Sequence, residues 1–315
     1  MKRIISVLLV LITVICLFSG CTIKKASDVR LGLAAPTVTH GWVAGVSYYA
    51  EKHCSENGIE YNITTSSNAA EMGKKINELT EWGADALVVW PQWPGMENAV
   101  KSVIDKGIPV VGFDVDIECD GVYKVTGNNY DMGYQCAKYI TEKVGDSAVI
   151  AVMDVPSVGS VSQLRKQGFY DYLKETDYDI SNIFEVSEKG FTREAGYSDM
   201  KMILEQYSRV DAVFSMDDET SIGVVQAITE SGRKDIKAVT GGGGMQEYFR
   251  MISDAKYSEI GLSSALYSPS MIEDAIDTAI ELSKGKSSSR VIVIPTTVVT
   301  AENVNDFLDS KNTVY

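Results

Sequence analysis

The run ADALVVW at residues 84–90 is apolar without alternation, the pattern of a strand covered on both faces. It does not stand alone. Comparable short runs fall at 30–35, 60–65, 109–114 and 123–126, each followed by a stretch with helical periodicity, of which 43–57 and 69–82 are the clearest. Gly83 and Gly107 stand where the helices before the next strands must stop. A second series starts near Ser147 with AVIAVMD and continues through NIFEVS, VDAVFSM, IKAVTG and EIGLSS, again with helical stretches between. The alternation predicts an α/β fold in two similar parallel-sheet halves.

The chain opens differently. Lys2 and Arg3 precede an apolar run, 4–18, broken only by Ser6 and Thr13, and the run ends in Ser19, Gly20 and Cys21. A charged start, a short hydrophobic middle and a small-residue end make an export signal, and the run is short for a spanning helix. The small pair before Cys21 resembles a bacterial lipobox, although Phe18 stands where that motif usually has Leu. The resemblance implies a signal peptide at 1–20, a lipid on Cys21, a linker at 21–27, and a protein held outside the cytoplasm on the cell membrane. An uncleaved anchor helix is the alternative, and both leave the chain outside the cytoplasm.

Loss of 1–20 would take the formal charge from −14 to −16. Such an acidic surface repels phosphate backbones and anionic headgroups, which excludes nucleic acid as a partner and leaves membrane contact to the lipid. Cys54, Cys119 and Cys136 remain, an odd and widely spaced set that suits buried free thiols better than a disulfide framework or a metal knot. His40 and His53 have no ligand partners at metal spacing, and no cofactor is implied.

In open parallel sheets a ligand sits beyond the carboxyl ends of the strands, so the informative residues directly follow each run. Those segments read APTVTHGW, WPQWP, FDVD and TGNNYDMG in the first half, and DVPSVGSVSQ, FSMDDETS, TGGGG and SALYSP in the second. Aromatic, amide and carboxylate side chains gather there. Flat indoles suit the C–H faces of a sugar ring, while acids and amides suit its hydroxyl rim.

Taken with the strand PVVGFD, the turn NNYDMG, the helix start RKQGF and the segment VFSMDDETSIGVVQAI, this order of elements resembles the type I periplasmic binding proteins of the ribose and galactose type. The likeness covers nearly the whole mature chain. It implies two doubly wound lobes joined by a three-crossing hinge, 28–128 with 268–294 and 129–267 with 295–315, closing on a small solute. It also implies delivery to the permease of an ATP-binding cassette importer by a protein working as a monomer. The family's stacking aromatic falls on Trp42, the polar residue ahead of it on His40, and the pocket position after the third strand on Trp90. Its Asp after the fourth strand is Asp114, but the Arg that follows is Val115 here. Its Asp of the fifth turn is Asn128, its cleft-facing Arg is Gln163, its Asn before the acidic pair is Asp217, its late Gln is Tyr267, and its Asp after the ninth strand is replaced by Gly242. Two arginines and one carboxylate are therefore expected to be missing, giving an acidic, aromatic cleft with affinity for a sugar or for an amine.

Plainer roles compete with these. Trp42 also serves as a core contact, Trp93 between its prolines as an edge cover, and Asp114 and Asp217 as caps. Of Asn128 and Asn129, one is expected to cap the helix and the other to face the cleft. The four glycines at 241–244 lack the Lys-Ser or Lys-Thr of a phosphate loop and suit a close backbone approach. No nucleophile elbow or zinc signature marks an enzyme; a glycosidase built on Asp114 and Asp217 is the enzymatic alternative, and a receptor signalling to a membrane kinase or chemoreceptor is the other.

Overall fold

The computed structural model describes residues 28–38 and 41–315; the signal and linker readings on 1–27, Cys21 included, and the site reading on His40 lie outside the described residues. Two six-stranded sheets form the frame. The first contains β1 (Arg30–Pro36), β2 (Glu60–Ser66), β3 (Ala86–Val89), β4 (Val110–Phe113), β5 (Tyr123–Gly127) and β11 (Val291–Ile294) in the order β11-β5-β4-β3-β1-β2, all parallel. The second contains β6 (Ile150–Asp154), β7 (Ile183–Ser187), β8 (Ala212–Ser215), β9 (Ala238–Gly243), β10 (Gly261–Leu266) and β12 (Val298–Thr300) in the order β12-β10-β9-β8-β6-β7, with only β12 antiparallel. The α/β reading, with two similar halves, is the observed architecture. The chain passes between the sheets three times: after β5, after β10 and between β11 and β12.

Helices α1 (Gly41–Glu56), α2 (Ala69–Trp82), α3 (Glu97–Ile104) and α9 (Met271–Ser283) pack on the first sheet, the last of these returning from the far side of the second hinge crossing. Helices α4 (Asn129–Val144), α5 (Ser160–Glu175), α6 (Arg193–Gln206), α7 (Asp218–Ser231) and α8 (Gln246–Ser253) cover the second. The central strands read as they pack: β3, β4, β6 and β8 are buried along their whole length. Gly83 ends α2 in the left-handed region at φ 89°, its N–H donating to Leu79 and Thr80, as its position before a strand predicts. Cys54 and Cys136 are buried free thiols, and Cys119 is a half-buried one.

Glycine sets the closest approaches. A Cβ on Gly133 of α4 would lie 1.7 Å from the Arg165 carbonyl oxygen, and one on Gly168 of α5 would lie 1.9 Å from that of Tyr130. Backbone therefore meets backbone where α4 crosses α5. Gly196 and Gly223 repeat the arrangement between α6 and α7, at 2.2 Å from Thr220 and 2.1 Å from Arg193.

The last residues bridge the halves. The Gln246 amide on α8 donates to the Phe307 carbonyl at 2.9 Å and accepts the Asp309 N–H at 2.7 Å, fixing the segment to the second sheet's layer. From there Asn312 donates to the Tyr49 hydroxyl on α1 at 2.8 Å, and the Tyr315 side chain lies against Gly41, Gly45 and Gly243. Gly41, Gly45 and Tyr49 recur every four residues, so they share one face of α1.

The two kinds of glycine separate in a substitution test. Gly168→Ala is expected to destabilise the protein by about 3 kcal/mol, because backbone atoms cannot move aside as a side-chain tip can. Gly73→Ala, whose new Cβ would find only the Ala99 Cβ at 3.8 Å, should be neutral or gain up to ~1 kcal/mol from helix propensity. Urea denaturation of both variants checks the pair.

Candidate ligand-binding site

The carboxyl ends of both sheets face a shared cavity of about 530 Å³. Its first-lobe wall starts with α1: Trp42, one residue into the helix, turns back over the ends of β1, β3 and β4. The indole N–H of Trp42 donates to the Tyr267 carbonyl at 2.7 Å, its ring stacks on Phe113 at 6.2 Å and 11°, and Trp90 meets it edge-on at 5.3 Å. Trp42 is thus both a core contact and a cavity wall. Trp90, 4% exposed, keeps an indole N–H without an acceptor at hydrogen-bond distance, close enough to Asp114 to favour its ionised form. Trp93 follows on the same loop, half-buried, against the α2–α3 core and against the cavity.

Asp114 follows β4 with φ 65°, a left-handed conformation that costs a non-glycine residue roughly 1–2 kcal/mol. Hydrogen bonds hold it there. Its N–H donates to Val125 at 2.9 Å, its carbonyl accepts from the Thr126 hydroxyl at 2.9 Å, and its carboxylate accepts from the Tyr267 hydroxyl. That hydroxyl in turn accepts from the Asn129 amide at 3.2 Å. Asn129 accepts from Arg165 Nε at 2.9 Å, while Arg165 Nη1 donates to the Met216 carbonyl at 2.7 Å. The guanidinium lies 5.1 Å from the Tyr267 ring centre and 5.5 Å from that of Phe191. One hydrogen-bonded chain therefore runs from β4 through the hinge to α5.

Three site expectations are corrected by this chain. Asn128 is the cap, its side chain accepting the Asp131 N–H at 3.0 Å, and Asn129 is the residue that joins the buried network. Gln163 points to solvent and does not line the cavity. The buried residues of α5, Ser162, Arg165, Gly168, Phe169 and Leu173, follow helical spacing, and that stripe excludes 163 and includes 165. The cleft consequently does hold an arginine, Arg165, beside Asp114 and Asp217, in contrast to the expected acidic, aromatic cleft without one. Phe191, on the loop before α6, is a further lining residue that no strand-end reading selected.

Across the cavity, Asp217 caps α7 and lines the site at once. Its Oδ1 accepts the N–H groups of Glu219 and Thr220 at 2.9 and 3.2 Å. Asp218 turns the other way, accepting from Gly244 N–H, Met245 N–H and the Ser264 hydroxyl, and so anchors the glycine loop. Gly242 and Gly243, at the end of β9 just before Gly244, line the cavity by their backbone. Glu219 reaches over to the Gly41 N–H at the start of α1, a direct contact between lobes. Of the ten ligand-site residues expected from sequence, Trp42, Trp90, Trp93, Asp114, Asp217, Gly242 and Tyr267 surround this one cavity.

Burial governs the charges. Desolvation raises the Asp114 pKa, opposed first by the Tyr267 hydrogen bond and then by Arg165. It pushes Asp217 up to about 7 and Asp218 to about 6, with each other's charge adding to the effect on Asp217. Glu188, behind the C-lobe wall with neither carboxyl oxygen hydrogen-bonded, is pushed to about 8 by burial, then by Asp199 and Asp217.

A sequence model described as the periplasmic binding protein domain matches residues 31–287. The chain belongs to that family. The ribose import binding protein of Bacillus subtilis is 26% identical to it over 310 residues, 94% of this chain and 98% of that one. Among solved structures, an ABC transporter periplasmic solute binding protein from Actinobacillus succinogenes, with bound D-allose, has a TM-score of 0.78 at 18% identity over 90% of this chain and 100% of its own. A galactofuranose binding protein has a TM-score of 0.78 at 24% identity, covering 91% and 100%. These likenesses show the two-lobed fold of the periplasmic binding proteins, with the cavity described above between the lobes.

The raised acids give this periplasmic binding protein a definite pH response. Each holds its proton more tightly folded than unfolded, so its contribution to stability is fully present below the ordinary carboxylate range and is lost as pH rises through the folded pKa. Melting temperature should therefore fall by several degrees between about pH 5 and pH 8.5. Glu188→Gln should flatten the upper part of that slope; an unchanged slope in this variant would contradict the assignment of Glu188.

Proposed function

We propose that this protein captures a small sugar or sugar-like solute in the interlobe cleft, outside the cytoplasm, and hands it to the permease of an ATP-binding cassette importer. It acts as a binding protein and catalyses no reaction. On this reading Cys21 carries the lipid that keeps it at the membrane, and the protein works as a monomer.

One observation carries the reading: indole and phenyl faces share a single cavity with unspent hydrogen-bonding groups from both lobes. Trp42, Trp90 and Phe191 offer flat apolar surface, suited to C–H faces. Among the described residues, Trp90 N–H has no acceptor at hydrogen-bond distance, Arg165 Nη2 has no partner in the network's hydrogen bonds, and Asp217 has one carboxyl oxygen beyond its two backbone donors. A ring with a hydroxyl rim meets all three. The names of the relatives support the same class of ligand. Arg165, lining the same cavity as Asp114 and Asp217, offsets part of their charge and so favours a neutral solute over an amine.

Closure follows from placement. Trp42, Trp90 and Asp114 belong to the first lobe, and Arg165, Phe191 and Asp217 to the second, so a solute bridging them binds the shut form more tightly than the open one. It shifts the equilibrium by that difference in affinity. Lobe position is then the signal a permease reads.

A thermal-shift screen of monosaccharides, polyols and small amines identifies the ligand, since whatever binds the folded state raises its melting temperature. For the ligand so found, Asp217→Asn keeps a helix cap of equal quality but loses the carboxylate, and it should weaken calorimetric affinity about tenfold, or ~1.4 kcal/mol, without a matching loss of stability. Unchanged affinity in this variant would place the ligand elsewhere.

A further inference from the structure

The cavity lining changes character with depth. Every charged residue of the lining is deeply buried, Asp114, Arg165 and Asp217, beside the Trp90 N–H and the apolar faces of Trp42, Val43 and Phe191. Its half-buried tier is apolar, with Trp93 and Val115 from the first lobe and Val158 and Val161 from the second. Beyond these, the exposed lining residues Thr37, Ser67 and Gln92 are polar but uncharged. A floor that mixes aromatic faces with all the charged groups of the lining thus sits beneath a collar without charge, contributed by both lobes.

Size points the same way. At ~30 Å³ per water, a cavity of about 530 Å³ holds about 18 waters, more than one sugar ring on the floor displaces. Water left against Val115, Val158 and Val161 would make no hydrogen bonds to them, so an occupant that replaces it with carbon gains affinity. Polar substituents gain little there, because the collar's side chains offer neither donor nor acceptor apart from the Trp93 N–H.

We propose that the ligand is a sugar carrying an apolar substituent, an alkyl or aryl glycoside, whose ring rests on the polar floor and whose substituent fills the Trp93, Val115, Val158 and Val161 collar. This rests on the sugar reading of the same cleft. Val161, the second residue of α5, stands four residues before Arg165, so ring and substituent are read by one helix, one turn apart. Val115 directly follows Asp114 and does the same from the opposite lobe.

Calorimetry on the purified protein tests this with the methyl and phenyl glycosides of D-ribose, L-arabinose, D-galactose and D-glucose, each beside its free sugar. For the sugar that binds, the phenyl glycoside should bind at least tenfold tighter than the methyl glycoside. Val161→Ser should remove most of that preference while changing affinity for the free sugar less than twofold. Equal affinity for methyl and phenyl glycosides overturns the proposal and leaves the sugar reading standing. So does a Val161→Ser variant that weakens free sugar and phenyl glycoside equally, since the collar is then only a contact between closing lobes. Failure of every free sugar and every glycoside to bind overturns both readings. Val115→Ser gives an independent second variant from the other lobe.

Discussion

A buried chain of hydrogen bonds from Asp114 through the Tyr267 hydroxyl and Asn129 to Arg165 holds the two lobes in register. Each member comes from a different part of the fold: the end of a first-lobe strand, a hinge crossing, the start of the helix after another crossing, and a second-lobe helix. Desolvating a carboxylate and a guanidinium costs several kcal/mol each, and the pair does not touch. The intervening tyrosine and amide recover part of that cost as hydrogen bonds, and the Tyr267 ring lies beside the cation. The same chain defines what is left for a solute: Asp114 is already engaged, while the second carboxyl oxygen of Asp217, the outer nitrogen of Arg165 and the Trp90 N–H are not.

The chain depends on helix packing at backbone distance. Only with Gly133 and Gly168 at the crossing does α5 come close enough to α4 for Arg165 to reach Asn129, which opens α4. A second link ties the lobes at their side, where the segment anchored by Gln246 lays Asn312 and Tyr315 along the Gly41, Gly45 and Tyr49 face of α1. With the contact from Glu219 to Gly41, these describe a shut form whose closing surfaces are small residues and single side chains. Such surfaces separate and rejoin at modest energetic cost.

Much of this is legible in the sequence because parallel sheets impose a simple grammar. Buried strands such as ADALVVW show no alternation, glycines close the helices before them, and the residues after each run must face the ligand side. Trp42, Trp90, Asp114 and Asp217 are readable on that basis. Arg165 and Asn129 are not, because their roles depend on helix phase and not on strand ends. Counting along α5 from Phe169 and Leu173 would have placed Arg165 inward and Gln163 outward. Asn128 and Asn129 are adjacent with the same side chain, so only geometry divides cap from network. Nothing local announces Phe191 or Tyr315, which reach their places through tertiary packing alone.

The central claim is that a sugar is held in the cleft by aromatic faces and hydrogen-bonding groups that both lobes supply. Three of the four tryptophans, Trp42, Trp90 and Trp93, line the cavity, and Trp82 alone lies outside it on α2. Intrinsic fluorescence titrated with the sugar that binds therefore reports on the cleft. The account predicts a saturable emission change at one equivalent that persists in Trp82→Phe and is diminished in Trp90→Phe. Saturable binding with an emission change abolished by Trp82→Phe and untouched by Trp90→Phe would contradict it.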